Sequence, residues 1–429
     1  MPTKLGAHVL RTAADLGEYI QARPAVVKLV GDWGLGRDVP EETLVIGRKH
    51  QANYDAQLQK TTGKAPLEAA QQFVGDQQGI YQSNPFITYW EGHNEPVWNT
   101  EEEMGWYARF EIERMKLMAD LGLKCVIGNF ATGSPQLALW PAFFPALKAA
   151  KQHQAILGLH EYSCPWMWWM TGRYQVNPNE DQGDEGWTTL RYRKIYRQHL
   201  LPNGLGVPLV ITECGIDGLV RPLPEGAPGA TWKGLGDYWR RVDGEPDKDD
   251  YYVRQLMWYD KELQKDDYVV GATIFTWGSF GPPWASFDVA GTDVAKGLIA
   301  HTQADPAEPF EYTIFEEEAG DGGEEEMPRG HPRIQYKRTY VLLPPNADAA
   351  WARAVVQGAW DEKRYTIGSS ADDAGIGDLD VRRVIAVNPH EWPGSLGLAD
   401  FFNQFYPGIE YRPITAATPA ELAQKLESG

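Results

Sequence analysis

Apolar and polar positions change rhythm repeatedly over the first two thirds of the chain. Short runs rich in β-branched and aromatic residues alternate with longer stretches whose apolar positions recur at helical spacing. The runs are Lys4–Val9, Val26–Val30, Thr43–Gly47, Phe86–Gly92, Lys124–Asn129, Ile156–Tyr162, Leu209–Glu213 and Val269–Trp277, and they predict eight strands. Between the fourth and fifth, Thr100 and Glu103 form a capping box. Behind it Met104, Ala108, Ile112, Met115 and Ala119 make one apolar stripe. Similar stripes predict helices over Ala13–Gln21, Leu67–Tyr81, Gln136–Lys151, Leu190–Leu200 and Tyr251–Leu263. The second crossover, Gly31–Glu42, holds glycines and a proline and reads as loop. Asp217–Asp249, after the seventh run, reads as a long loop that walls or lids a cleft. Alternating strands and helices imply right-handed crossovers and a parallel sheet, and eight strands imply a closed (β/α)8 TIM barrel.

Beyond Ala304 the pattern changes. Asp305–Glu326 carries ten acidic residues and no basic one, which suits a linker or a solvated excursion. A second α/β pattern follows: strand Tyr340–Leu343, helix Ala347–Trp360, strands Tyr365–Gly368 and Val384–Val387, helix Leu396–Phe405, strand Glu410–Ile414. The expected organisation is a barrel over 1–304, an acidic segment over 305–332 and a small C-terminal α/β domain over 333–429. The last lacks a phosphate loop, and Gly375 and Gly377 do not complete a dinucleotide fingerprint. Asp372, Asp373 and Asn388 follow strands there and read as turn and cap residues.

Composition narrows the function classes. A net charge of -19 and a pI near 4.9 repel phosphate backbones and anionic lipid surfaces, so neither nucleic acid nor membrane is an expected partner. Residues 1–8 lack the apolar core of a signal peptide, and no apolar run reaches 18 residues. The expectation is a soluble protein, cytoplasmic as written, or extracellular if a leader was removed. Three cysteines, Cys125, Cys164 and Cys214, sit in or just past predicted strands and read as buried free thiols. Seventeen tryptophans supply core, sugar-stacking surface, or both.

Two strands end in carboxylates. Phe86–Pro96 is an apolar run closing on Asn94-Glu95-Pro96, and Pro208–Gly215 is another that delivers Glu213. Pro96 cannot donate to a neighbouring strand, so the ladder stops near Glu95. In a parallel barrel both carboxylates then lie at the catalytic edge. This combination, Asn-Glu-Pro after strand four and Thr212-Glu213 on strand seven, resembles the clan A (4/7) superfamily of glycoside hydrolases over residues 4–303. The resemblance implies Glu95 as general acid/base, Glu213 as nucleophile, and retention by double displacement. The physical need is independent of the family. A glycosidic oxygen leaves only when protonated, and the anomeric carbon needs an anion on its other face. An ionised Glu213 near Glu95 would also raise the pKa of the latter and keep it an acid.

By the same resemblance Asn94 binds the sugar 2-hydroxyl, with a turn-forming role as the alternative. His160 and Tyr162, two apart on strand six, look like the clan's His-x-Tyr, whose tyrosine holds the nucleophile. Trp277 stands where the clan commonly places an aromatic floor. Arg48 follows strand three and is placed to orient Glu213 or to bridge another carboxylate. Glu91 reads as a buried partner of Arg48, His8 or Lys28. His93, Asn129 and Trp90 are candidate rim contacts, and Trp166 with Trp168 and Trp169 a candidate stacking wall. A barrel metallohydrolase would need further ligands beside His8, and there is no Gly-x-Ser-x-Gly elbow. No cofactor or metal is expected, and the partner is a carbohydrate substrate. The expected activity is cleavage of β-type glycosidic bonds. The alternatives are a transglycosidase using the same residues and a non-catalytic carbohydrate-binding barrel. Sugar, linkage and oligomeric state are not legible.

Overall fold

The computed structural model describes the whole chain except residues 51–62, 173–182, 316–337, 357–364, 372–373, 375–381, 393–396, 407–408 and 428–429. Asp372, Asp373, Gly375, Gly377, part of the acidic run and the end of the Ala347–Trp360 stretch lie outside the described residues. The chain divides into two compact units, Met1–Ala319 and Gly320–Gly429.

The first unit is a closed barrel of eight parallel strands in chain order. They are β1 (Leu5–Val9), β2 (Val26–Leu29), β3 (Leu44–Gly47), β4 (Tyr89–Glu91), β5 (Lys124–Phe130), β6 (Ile156–Ser163), β7 (Leu209–Ile216) and β8 (Val269–Trp277). All eight predicted runs are strands. Two boundaries shift in ways that matter below. β4 stops at Glu91, leaving Glu95 four residues beyond it, and β7 continues to Ile216, placing Glu213 inside the strand.

Alternation along each strand separates two layers. One set of positions, including Ala7, Val27, Leu29, Trp90, Ile127, Leu157 and Ile211, packs in the main core beneath the helices. The alternate set, Val26, Ile46, Tyr89, Val126, Ile156 and Val210, meets inside the barrel. Asp305–Phe315, expected as linker or excursion, belongs to the first unit and runs along the same layer. Ala307 and Phe310 join that inner cluster, and Phe315 pairs by its backbone with Gly206. Its acidic residues suit solvent, and its apolar residues Ala307, Phe310 and Phe315 make the contacts.

The capping box of the Glu101–Asp120 helix forms as expected, with Thr100 accepting from the Glu103 amide. The second crossover contains a short 3-10 turn, Trp33–Asp38. The loop after β7 is not wholly irregular: it holds the 3-10 turn Trp232–Gly234 and the helix Gly236–Val242.

The second unit carries four parallel strands, β9 (Arg338–Leu342), β10 (Thr366–Gly368), β11 (Arg382–Val387) and β12 (Glu410–Ile414), ordered β10-β9-β11-β12. Asn388 is buried after β11, and its side chain bonds Glu391 and both backbone groups of Ala416. It ties β11 to the segment following β12, a structural role. Among the described residues no helix is long and apolar enough to cross a membrane.

Candidate active site

Two residues above the apolar layer, the inward positions become charged. Val26 is followed by Lys28, Ile46 by Arg48 and Tyr89 by Glu91, and period-two alternation keeps each pair on one face. The ladder slips between Leu159 and His160 and again between Ile211 and Cys214, which pairs His160 with Glu213 across β6 and β7. These bulges re-aim both side chains into the same layer.

Glu213 is almost fully buried. Its Oε1 accepts from Arg48 Nη1 at 2.8 Å and Lys28 Nζ at 3.2 Å, and its Oε2 accepts from the Tyr162 hydroxyl at 2.9 Å. Burial alone would raise its pKa, but His160, Lys28, His8 and Arg48 together hold it well below the ordinary carboxylate range. Burial and the Lys28 charge hold His8 well below its own ordinary value. Lys28 and Arg48 both lie within 3.2 Å of Glu213. Burial, then the Glu213 charge, pushes the Tyr162 hydroxyl well up, and it stays a proton donor.

Lys28 is fully buried between two carboxylates, 3.0 Å from Glu91 Oε2 and 3.2 Å from Glu213 Oε1. Burial, and next Arg48, lowers its pKa, while Glu91 and Glu213 hold the proton on. Glu91, 3.8 Å from Arg48 as well, is thus a counter-ion for both cations.

Glu95 has the opposite setting. Its side chain is 39% exposed, and His160 Nδ1 lies 2.8 Å from its Oε1. The backbone there is left-handed, φ 46°, unusual for a residue with a side chain and immediately before proline. Such strain costs about 1–3 kcal/mol and clusters at functional sites. It is held by the Glu95 amide donating to the Asn129 carbonyl at 3.0 Å. The same imidazole nitrogen is 3.6 Å from Glu213 Oε2. One oxygen of Glu95, one nitrogen of His160 and one oxygen of Glu213 all lie within 4.8 Å of one another.

Those three atoms also have the spacing of metal ligands. The donor set fits a cation poorly, because Glu213 is already balanced by two fixed positive charges that would repel it. The arrangement sets a carboxyl open to solvent beside a buried one that cations hold ionised.

The structure therefore brings together Glu95, Glu213, Arg48, His160, Tyr162 and Asn94, whose carbonyl oxygen accepts from Arg48 Nη1. Five expected contacts lie elsewhere. Trp90 is on the outer face of β4, fully buried against Tyr81, with its ring across Gly47; one step from inward Glu91, it points the other way. His93 packs between Phe73 and Phe110, 4.8 Å from each ring, under the helices. Asn129 is buried, with its amide on Val126, and serves Glu95 through its backbone. Trp277 is 0% exposed, stacked 4.5 Å from Tyr19 with its indole N–H on Asp15. The β1–β8 ladder slips at this point, pairing His8 with Phe275 and Val9 with Trp277. That bulge turns Trp277 outward and leaves Phe275 facing in, 4.8 Å from the His8 ring and 6.2 Å from Tyr162. Trp166 is mostly buried, with its indole on Asp243 and its ring against Tyr238.

Phe275 and the position of Lys28 on Glu213 were not anticipated from the sequence. Lys28 had a visible signal, a lysine inside an apolar strand. Phe275 had one too, since alternation puts it on the face expected for Trp277; only the slip that turns Trp277 away leaves no mark until the ladder is seen.

No family model matches the chain, and no curated protein matches it in sequence. Solved structures are similar in part. One is a xyloglucan-specific endo-beta-1,4-glucanase from a metagenomic library, 13% identical over 68% of this chain and 88% of that one, with a TM-score of 0.41. Another is a family 39 glycoside hydrolase from Bacteroides cellulosilyticus, 13% identical over 70% and 64%, TM-score 0.43. A third is an endo-beta-1,3-glucanase from Amycolatopsis mediterranei, 10% identical over 70% and 99%, TM-score 0.37. Likeness at this level defines no activity for this chain.

Proposed function

We propose that this barrel is a retaining glycoside hydrolase acting on β-type glycosidic bonds, with Glu213 as nucleophile and Glu95 as acid/base. The carrying observation is the approach of two carboxylates to within 4.8 Å in opposite environments. Carboxyls about 5–5.5 Å apart suit direct attack, whereas roughly 6.5–9.5 Å leaves room for water and inversion. Glu213, ionised and held by Lys28, Arg48 and Tyr162, is aimed at an anomeric carbon. Protonated Glu95 gives its proton to the glycosidic oxygen as that bond breaks, and a Glu213 oxygen bonds the carbon. Glu95, now a carboxylate, takes a proton from water, whose oxygen displaces Glu213. His160, within 3.6 Å of both carboxylates, fixes their separation.

Hydrolysis of a panel of aryl glycosides and β-glycans by wild type, Glu213→Gln and Glu95→Gln tests this. Glu213→Gln should lose several orders of magnitude on every substrate. Glu95→Gln should lose as much on glycans yet keep substantial turnover on dinitrophenyl glycosides, whose leaving group needs no proton. An inverted first product by NMR, or unimpaired Glu213→Gln, would refute the assignment.

A further inference from the structure

Large apolar side chains left in water on a folded surface mark binding. Four of them follow strand ends around the site: Val97 after β4, Leu219 after β7, and Phe280 and Trp284 after β8. Trp284 is 45% exposed and Phe280 61%. Trp284 is connected to the catalytic layer through rings. Its centroid is 5.4 Å from that of Phe275, which in turn lies 4.8 Å from His8.

Trp284 is also held in place. It belongs to the single turn Pro282–Ala285, and three side chains of the loop after β7 bond the backbone around it. Thr231 donates to Ser286 O at 2.8 Å, Lys233 to Ala285 O at 2.9 Å and Trp232 to Phe287 O at 3.0 Å. Phe287 packs 6.1 Å away as a buttress. Among the described residues the Trp284 indole N–H has no hydrogen-bond partner. An aromatic ring fixed by its neighbours, half in water, with a free donor, matches a pyranose ring, which presents an apolar face and a rim of hydroxyls.

Resting on the reading of the site as a glycosidase, we propose that Trp284, with Phe280 beside it, is the platform of a sugar-binding subsite outside the cleavage point. Phe275 neighbours Trp284 at 5.4 Å and Tyr162, which bonds Glu213, at 6.2 Å; on this proposal the sugar stacked on Trp284 is a neighbour of the one attacked. The substrate is then a chain of at least two sugars, bound as an oligosaccharide or polysaccharide.

The test separates this from the catalytic assignment. Binding of cello-, laminari-, xylo- and manno-oligosaccharides of two to six units is measured by calorimetry on Glu213→Gln and on Glu213→Gln with Trp284→Ala. Hydrolysis of the same chains and of aryl monoglycosides is compared for wild type and Trp284→Ala. The expected result is about a tenfold or greater loss of affinity and of kcat/KM on chains, with aryl monoglycosides turned over as before. Trp284→Phe, which keeps a ring, should restore part of the loss. Chain binding through Trp284 without hydrolysis by wild type would sink the glycosidase and keep the platform. Equal loss on chains and monoglycosides, no loss on chains, or no binding of any chain would overturn the platform.

Discussion

Replacing Lys28 by Met, similar in length and without charge, probes how the barrel holds Glu213, the proposed nucleophile. At 3.2 Å from Glu213 the ammonium attracts it by about 5 kcal/mol at an effective dielectric of 20, much of it offset by desolvation. Removal leaves Glu213 with Arg48 at 2.8 Å, but Glu91 keeps only the same arginine at 3.8 Å. Stranding a buried carboxylate costs about 3–5 kcal/mol. At about 2–4 °C per kcal/mol for a domain this large, melting falls by roughly 10 °C. The nucleophile's pKa rises once a cation leaves, so the acidic limb of kcat/KM moves toward neutral pH. Thermal melts and pH profiles of Lys28→Met, Glu91→Gln and the double variant measure both effects. The double variant should regain much of the lost stability, because it strands no charge on Glu91. An unmoved acidic limb, or a double variant as unstable as the sum of the singles, would refute the coupling.

Two further outcomes follow from the site and its surroundings. Trp277→Ala should cost roughly 3–5 kcal/mol in unfolding with kcat/KM nearly intact, while Phe275→Ala should lower kcat/KM more than stability; denaturant melts beside kinetics check the pair. Glu161 is buried on β6 and accepts from the amides of Leu190 and Tyr192 and from the Tyr259 hydroxyl, yet burial raises its pKa from 4.5 to about 7. A raised folded pKa makes its contribution complete below pH 4.5 and lost as pH climbs through 7, a change of about 3 kcal/mol. Stability of wild type relative to Glu161→Gln should therefore fall between pH 5 and 8, and a flat difference would contradict this.

The eight runs and the two carboxylates, one just past β4 and one on β7, could be read because alternation and helical spacing are local properties. Each depends on whether neighbouring residues seek water or core. The polar residues Lys28, Arg48 and Glu91 inside apolar surroundings were equally visible, and their meeting in one layer follows from strand order alone. Trp90, His93, Asn129 and Trp277 were not placed by the same reasoning. Trp90 and His93 sit close in sequence to functional residues, but facing is decided by parity and by helices packed over them. Asn129 acts through its carbonyl, to which side-chain identity is blind. Trp277 leaves the face that alternation would have it share with Phe275, at a slip in the ladder between β1 and β8. Register between strands hundreds of residues apart is set by barrel closure, a condition on all eight strands at once. Local pattern was enough for the barrel, the strand edge that carries Glu95 and Glu213, and the charges delivered there. Tertiary structure decided which aromatic faces the site, which stays in the wall, and how near the two carboxylates approach, because those depend on bulges and packing that no single segment encodes.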